Sequence, residues 1–520
     1  MRRMNAFSLG MVVFVGFLFI LNDQGFTKER FSDKDKIVVA LSTQILTLDP
    51  ARSAGTPAEM VRRHLYEGLV YADEQNRIYP LLAHKWEITK DGLIWTFYLR
   101  KGVKFHDLTP FTAQAVKKSF DRLLDLATGS NRRYMYTFID QIKVIDDYTV
   151  QFVTKEPRAD FLNLLTESGA YPISPAALDK YGKDIGDNPC GTGPYKLEKK
   201  VTGEYVVLTP FDNYWKGKPK LSEIKFITVS EEATRVNMIE NGEADFIVNV
   251  PPQDIKRLEA DKSITIRKDQ SNRVAHVGLN VKRPPFDNLK VRQALNYGVD
   301  RELIIKGVCN GLGIPAKSII APATWGYAPV SPYKYDPEKA KELLAQAGYA
   351  KGFKAKLWTP QGRYFRDKET ALAVAGQLRK IGVDLDVEII DWGQYLKELK
   401  LGLNEGNKVE AYMLGWESVT GEASYIINTI FASKNVSPTG WNTMFYANKR
   451  LDEINEIASK TMDDKKRADL FKEAQDIAVK EAAWIPLYVY EQVNAHRFDL
   501  KGIRVLPFEA SVFNDAYIKK

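Results

Sequence analysis

Along most of the chain, short apolar runs alternate with stretches of helical period, and the two spacings separate strands from helices. KIVVALS (36–42) has the continuous apolar pattern of a short buried strand. In AEMVRRHLYEGLV (58–70), Met60, Val61, His64, Leu65 and Leu69 recur at helical spacing and predict a helix. HKWEITKDGLIWTFYLRKGVKF (84–105) reads as a hairpin: Trp95, Phe97 and Leu99 alternate with Ile94, Thr96 and Tyr98 after a Lys90-Asp91-Gly92 turn. Thr112 stands as an N-cap before AQAVKKSFDRLLD, whose Val116, Phe120, Leu123 and Leu124 share one face. VIDDYTVQFVT (144–154) predicts a second hairpin.

The middle of the chain is rich in strands. EEATRVNMIE (231–240) is a helix stopped at Asn241-Gly242, and ADFIVNV (244–250) and VAHVGLNV (274–281) are strands. From residue 330 the pattern becomes strand, helix, strand. Asp336-Pro337 opens a helix that Gly348 ends. KAKLWTP, DKETALAVAGQLRKIG, DLDVEIID, WGQYLKELKLG and EAYMLGW then form a βαβαβ unit, which requires a parallel sheet covered by helices. Two long helical segments (448–460 and 463–482) precede a last strand, WIPLYVYEQV.

Candidate chemistry narrows the field by failing. Gly191-Thr192-Gly193-Pro194 lacks the third glycine of a dinucleotide loop and runs into a hairpin, not a helix. Its glycines are read as letting the chain turn into that hairpin. GLGIPAKS (311–318) has Ala316 where a phosphate loop needs glycine, and Pro315 lacks an N–H such a loop would use. There is no G-x-S-x-G and no H-E-x-x-H. The five histidines are scattered without ligand-like neighbours, so no metal and no cofactor are expected. Cys190 and Cys309 are open to a disulfide or to two separate buried thiols.

Size and charge add bounds. With 520 residues, two or three domains are expected. The 74 Lys and Arg against 66 Asp and Glu give a net charge of +8, spread without a basic block, so no nucleic-acid partner is expected. Arg2 and Arg3 followed by the apolar run Phe7 to Leu21 read as an export signal or an N-terminal anchor within residues 1–30.

One family shares long segments with this chain. LYEGLVYADEQNRIYPLLAHKWEITKDGLIWTFYLRKGVKFHD (65–107), GTGPYKLEKK (191–200), TRVNMIENGEADF (234–246), PPFDNLKVRQALNYGVDREL (284–303), YDPEKAKELLAQAGY (335–349) and WIPLYVYEQV (484–493) occur in order. In these segments the chain resembles the family 5 extracellular solute-binding proteins, the oligopeptide and dipeptide receptors of ABC importers. The resemblance implies an α/β, two-lobed periplasmic-binding-protein fold of type II. Lobe I would comprise 35–70, 185–275 and 490–520, with an extra subdomain at 71–184, and lobe II would comprise 281–487. Crossings near 276–281 and 487–491 would form the hinge. It further implies a monomer in the periplasm or cell envelope, capturing a peptide or similar small solute for a membrane permease and catalysing nothing. A sensory or scaffold binding protein is the alternative, and an exported peptide hydrolase a more remote one.

The resemblance also implies ligand contacts from Gln44, Trp392, Trp416, Glu417, Ser418, Val419 and Glu422. Peptide-binding members commonly carry G-W-x-x-D, whose Asp pairs with the ligand's α-amino group. Here the stretch is Gly415-Trp416-Glu417-Ser418-Val419, with Val419 at the Asp position. A desolvated ammonium needs an opposite charge. The expectation is therefore weak discrimination between free and N-acetylated peptides, unless Glu417 or Glu422 has taken over. HDG and an acidic helix start, frequent in the family, are also replaced here, by His106-Asp107-Leu108 and by Gln114-Ala115.

Overall fold

The computed structural model describes residues 35–52 and 55–519. The expected export signal lies outside the described residues. Among those residues, no helix is long and apolar enough to cross a membrane.

Eleven strands make one mixed sheet. Two long antiparallel strands, Ile264–Leu279 and Trp484–Arg497, run through its centre. On one side of them lie Phe246–Ile247, Lys36–Leu41 and Glu223–Thr228, mutually parallel, then the antiparallel hairpin Tyr205–Pro210 and Tyr195–Val201. On the other side lie Ala411–Glu417, Phe353–Thr359 and Val383–Ile389, also mutually parallel. These last three are the strands of the βαβαβ unit. Helix Asp367–Arg379 joins two of them and buries Ala371, Val374, Ala375 and Leu378 against the sheet. Asp336 caps helix Pro337–Gln346 by accepting the Lys339 N–H at 2.9 Å, as the Asp-Pro signal predicts. A separate four-stranded antiparallel sheet contains both sequence-predicted hairpins: Ala83–Ile88, Ile94–Leu99, Thr149–Thr154 and Ile139–Asp146, in that order. Its buried face is the alternating set Trp95, Phe97, Leu99, Val150 and Phe152.

The two central strands pair in two blocks. Residues 264–270 pair with 491–497, and 274–278 pair with 484–489. The register breaks between Gln270 and Val274, leaving Ser271, Asn272 and Arg273 without partners on Trp484–Arg497. From Arg273 onward the strand also pairs along its other edge with Ala411–Glu417. A second register shift falls between Ala275 and His276, opposite Tyr488 and Pro486, at the edge of the 276–281 and 487–491 segments expected from sequence.

Three local readings change. The helix predicted over 58–70 is Thr56–Leu65, and Val70–Ala72 is already strand. Gly68 sits against Tyr171, where a Cβ would come within 2.7 Å of the ring, so the chain leaves the helix for a tight packing site. ADFIVNV contributes only Phe246–Ile247 to the sheet. Gly191 and Gly193 do not adopt left-handed turns. A Cβ on either would fall 2.2 Å from the Leu65 carbonyl oxygen or 2.3 Å from that of His64. These glycines let the hairpin's leading edge press against the helix C-terminus, and the Gly193 N–H donates to Leu65 O at 3.0 Å. Cys190 and Cys309 are separate, buried free thiols.

Candidate ligand-binding site

The C-terminal ends of parallel strands face one another across the central pair. In open α/β sheets that edge is where loops can gather around a ligand. After Thr359 the chain loops through 360–366. The buried Asp367 carboxylate fixes that loop, accepting the N–H groups of Gly362, Arg363 and Tyr364, each at 3.0 Å. Arg363 and Tyr364 are thereby presented to the cleft. After Ile389, Asp391 caps helix Trp392–Leu399 through the Gly393 N–H at 3.0 Å and places Trp392 at its start. Strand Ala411–Glu417 ends in Trp416 and Glu417. The loop beyond is clamped. Ser418 Oγ accepts from Glu422 N at 3.0 Å and donates to Glu422 O at 2.7 Å, and Asn272 Nδ2 donates to Ser418 O at 2.6 Å. From the other side come Thr56 and Glu59 of helix Thr56–Leu65, Arg132, Tyr134 and Glu167, and Phe508.

These groups enclose a cavity of about 290 Å³. Aromatic rings dominate its wall. Trp416 and Trp441 lie 5.5 Å apart, and Tyr364 stands perpendicular to Trp392 at 5.9 Å. A smaller chamber of about 80 Å³ adjoins it and shares Thr56, Arg273, Arg363 and Tyr364. The two sides of the molecule touch around the cavity. Asn76 Nδ2 donates to Ala323 O at 2.7 Å, Ser424 Oγ to Asp160 Oδ2 at 3.2 Å, and Arg366 Nη2 to Gln253 Oε1 at 2.9 Å.

The cavity's charges are mostly matched. Arg63 Nε lies 2.7 Å from Glu59 Oε1. Burial alone would raise the Glu59 carboxyl, but the guanidiniums of Arg63 and Arg62 and the Ser168 hydroxyl bring it down to about 2. Arg132 pairs with Glu167 at 3.2 Å. Arg273 pairs with Glu417 and, at 3.0 Å, with Glu509. Arg363 is the exception: it forms no ion pair among the described residues and lies over Tyr364 (4.7 Å) and Trp392 (5.1 Å). Among the described residues, no group of acids, histidines or cysteines could hold a metal ion.

Of the residues expected from sequence, Trp392, Trp416, Glu417 and Val419 line the cavity. Gln44, Ser418 and Glu422 do not. Gln44 is exposed near the 195–210 hairpin turn, and Ser418 holds the 418–422 loop. Glu422 is buried against Arg467. Burial pushes its carboxyl up to about 7, against the pull of Arg467 and with Asp160 adding to the rise. It therefore does not take over the missing aspartate's place. Sequence reasoning missed Arg273, Arg363, Tyr364, Trp441 and the Glu59, Arg132 and Glu167 wall. Arg363 carried a usable signal, since it follows the C-terminal end of a strand in a predicted parallel unit.

Two lobes joined through a shared central strand pair, with a cavity and its adjoining chamber at the strand ends between them, define a type II periplasmic binding protein. The family model described as bacterial extracellular solute-binding proteins, family 5 Middle, matches residues 77–438, and the chain belongs to that family. The glutathione-binding proteins GsiB of Escherichia coli (strain K12) and Shigella dysenteriae are each 37% identical over 487 residues, 94% of this chain and 95% of theirs. The periplasmic binding protein DppA of Helicobacter pylori, solved with the peptide STSA, superposes with a TM-score of 0.84 at 29% identity, covering 94% of this chain and 99% of that one. A dipeptide-binding protein of Pseudoalteromonas sp. SM9913, solved with Met-Leu, gives 0.82 at 26% identity, covering 93% and 100%. These relatives bear the names of binding proteins, not of enzymes.

Proposed function

We propose that this protein is the exported receptor of an ABC importer, closing as a monomer around a short peptide or a peptide-like acid of glutathione size and delivering it to a membrane permease. The observation that carries the reading is the enclosed cavity whose acids are already paired while one guanidinium, Arg363, is free. A half-buried cation stacked on aromatic rings favours a ligand carboxylate, which can accept two of its N–H groups. About 290 Å³ lies at the small end of ligand sites, roughly 300–1,000 Å³, and suits a ligand of two or three residues. Bending is assigned to Ser271–Asn272–Arg273 and the facing Tyr490, where the ladder between the two central strands is interrupted. The Val419 loop offers no carboxylate to an ammonium.

Protein purified from its own host should retain a small acid visible by native mass spectrometry. Titration of stripped protein with glutathione and with Met-Leu should show saturable binding of at least one, and scattering should report a more compact molecule at saturation. Converting a probe's carboxylates to amides should weaken binding about ten- to a hundredfold. No retained solute, no saturable binding and no compaction would sink the reading. A sensory role would differ in leaving uptake intact when the gene is deleted.

A further inference from the structure

The smaller chamber carries chemistry that the receptor reading leaves unused. Strand Trp484–Arg497 builds one of its walls with Glu491, Gln492 and Asn494. Asn494 is only 3% exposed, and its carboxamide makes no hydrogen bond to a described residue. Gln492, 6% exposed, donates Nε2 to Leu506 O at 3.2 Å and leaves its carbonyl oxygen without a partner among those residues. The unpaired polar atoms of both carboxamides are open to the chamber, so it offers hydrogen-bonding groups to something polar. Glu491 is half-buried and forms no ion pair among the described residues, as is also true of Arg363 on the same chamber. The two do not pair with each other within 4.0 Å. An anion and a cation that form no ion pair thus line one small space, beside the Arg273–Glu509 pair, whose Glu509 also feels the Arg363 charge.

We propose that this chamber receives an α-amino-acid head, with its ammonium on Glu491, its carboxylate on Arg363 and the Asn494 carboxamide completing its hydrogen bonds. The remainder of the ligand passes Tyr364 into the tryptophan-lined cavity. The inference rests on the receptor reading and narrows it to a substrate class. An ordinary α-peptide carries its ammonium and its terminal carboxylate on different residues. A γ-glutamyl-type conjugate carries both on one carbon, which a chamber of about 80 Å³ can hold as a unit. The same assignment explains why the 418–422 loop can present Val419: the ammonium binds on the other side of Tyr364.

The test uses γ-Glu-Leu, its α-linked isomer and N-acetyl-γ-Glu-Leu as calorimetric probes of the full-length mature protein. Wild type should prefer γ-Glu-Leu over both others by about ten- to a hundredfold. Glu491→Gln should erase the preference over the acetylated probe while leaving the melting temperature unchanged. Asn494→Leu should weaken γ-Glu-Leu and spare the acetylated probe. The inference is overturned if wild type binds free and acetylated probes alike, if the preference survives Glu491→Gln, or if none of the three binds at millimolar concentration. In each of those cases a retained acid in native mass spectrometry would leave the receptor reading standing.

Discussion

Replacing Arg273 by methionine should destabilise the protein more than any other single change in the cleft. Its side chain is 3% exposed and lies at the register break of the central strands. Nε and Nη2 donate to the two Glu509 oxygens at 3.0 Å each, and Nη1 pairs with Glu417 and reaches Gly415 O at 3.3 Å. Glu417 and Glu509 arrive from opposite sides of the cleft, so one guanidinium ties both. Removing one partner of a buried ion pair costs about 3–5 kcal/mol. Here the acids keep 19% and 25% exposure, so water recovers part of it, and a loss of about 2–4 kcal/mol is expected. At roughly 2–4 °C per kcal/mol for a lobe-sized unit, the melting temperature should fall by at least about 4 °C. Burial alone would raise the Glu509 carboxyl, yet Arg273 holds it below its ordinary range. That contribution is present above the unfolded value and is lost as pH falls, so the gap between wild type and variant should narrow below about pH 4.5. Calorimetry of stripped protein at pH 7.5 and pH 4 measures both. The triple variant Arg273→Met/Glu417→Gln/Glu509→Gln should regain most of the loss, because no charge is left unpaired. A single variant within about 1 kcal/mol of wild type, or a triple variant no better than the single, would refute the reasoning.

Gly415→Ala should cost about 1–3 kcal/mol, because its Cβ would lie 2.8 Å from Arg273 Cδ and 3.1 Å from the Tyr364 ring; an unshifted unfolding midpoint would count against that packing. Glu422 has a carboxyl raised from 4.5 to about 7, so the stability it contributes is full below 4.5 and lost as pH rises through 7. The melting-temperature difference between wild type and Glu422→Gln should therefore grow as pH falls from 8 to 5, and a flat difference would contradict the burial argument. Asp367→Asn should weaken ligand binding about tenfold with a smaller effect on melting, since it loosens the loop that presents Arg363; equal loss of both would mark a purely structural role.

Periodic elements were legible in the sequence because each reports its own burial. The Trp95, Phe97, Leu99 alternation became a sheet face, and the Asp336-Pro337 and Gly348 signals bounded a real helix. The site was only half legible. Trp392, Trp416, Glu417 and Val419 follow strand ends that the periodicity had located. Arg273 did not announce itself, because it ends the polar run Arg267 to Arg273, just before the strand predicted from Val274, and its role comes from a broken register. Glu59, Arg132 and Glu167 come from segments more than 70 residues apart in part, and only the docking of residues 71–184 brings them to one wall. Glu422 misled for the opposite reason. Its place near Trp416 in sequence suggested the cleft, whereas the Ser418–Glu422 backbone clamp turns it toward Arg467.

The same contrast bears on how a receptor of this architecture changes its ligand. The strand ends are fixed by ladders and by a continuous core running from Val39 and Phe226 to Leu357 and Met413, so they present positions, not chemistries. What each position offers is set by one side chain at a strand end or in the loop or helix that follows it. Replacing a charge by Val419 leaves the Ser418–Glu422 clamp intact, since that clamp uses Ser418 Oγ and backbone groups alone. A ligand ammonium can then be received wherever another carboxylate faces the cleft unpaired. Each cavity acid except Glu491 is already tied to an arginine among the described residues. Freeing any of the tied acids for a ligand would strand its arginine in a buried site, at a cost comparable to the charge pair gained. Specificity can therefore shift at Val419 and Glu491 without disturbing the fold, and it cannot do so at Glu59, Glu167 or Glu417.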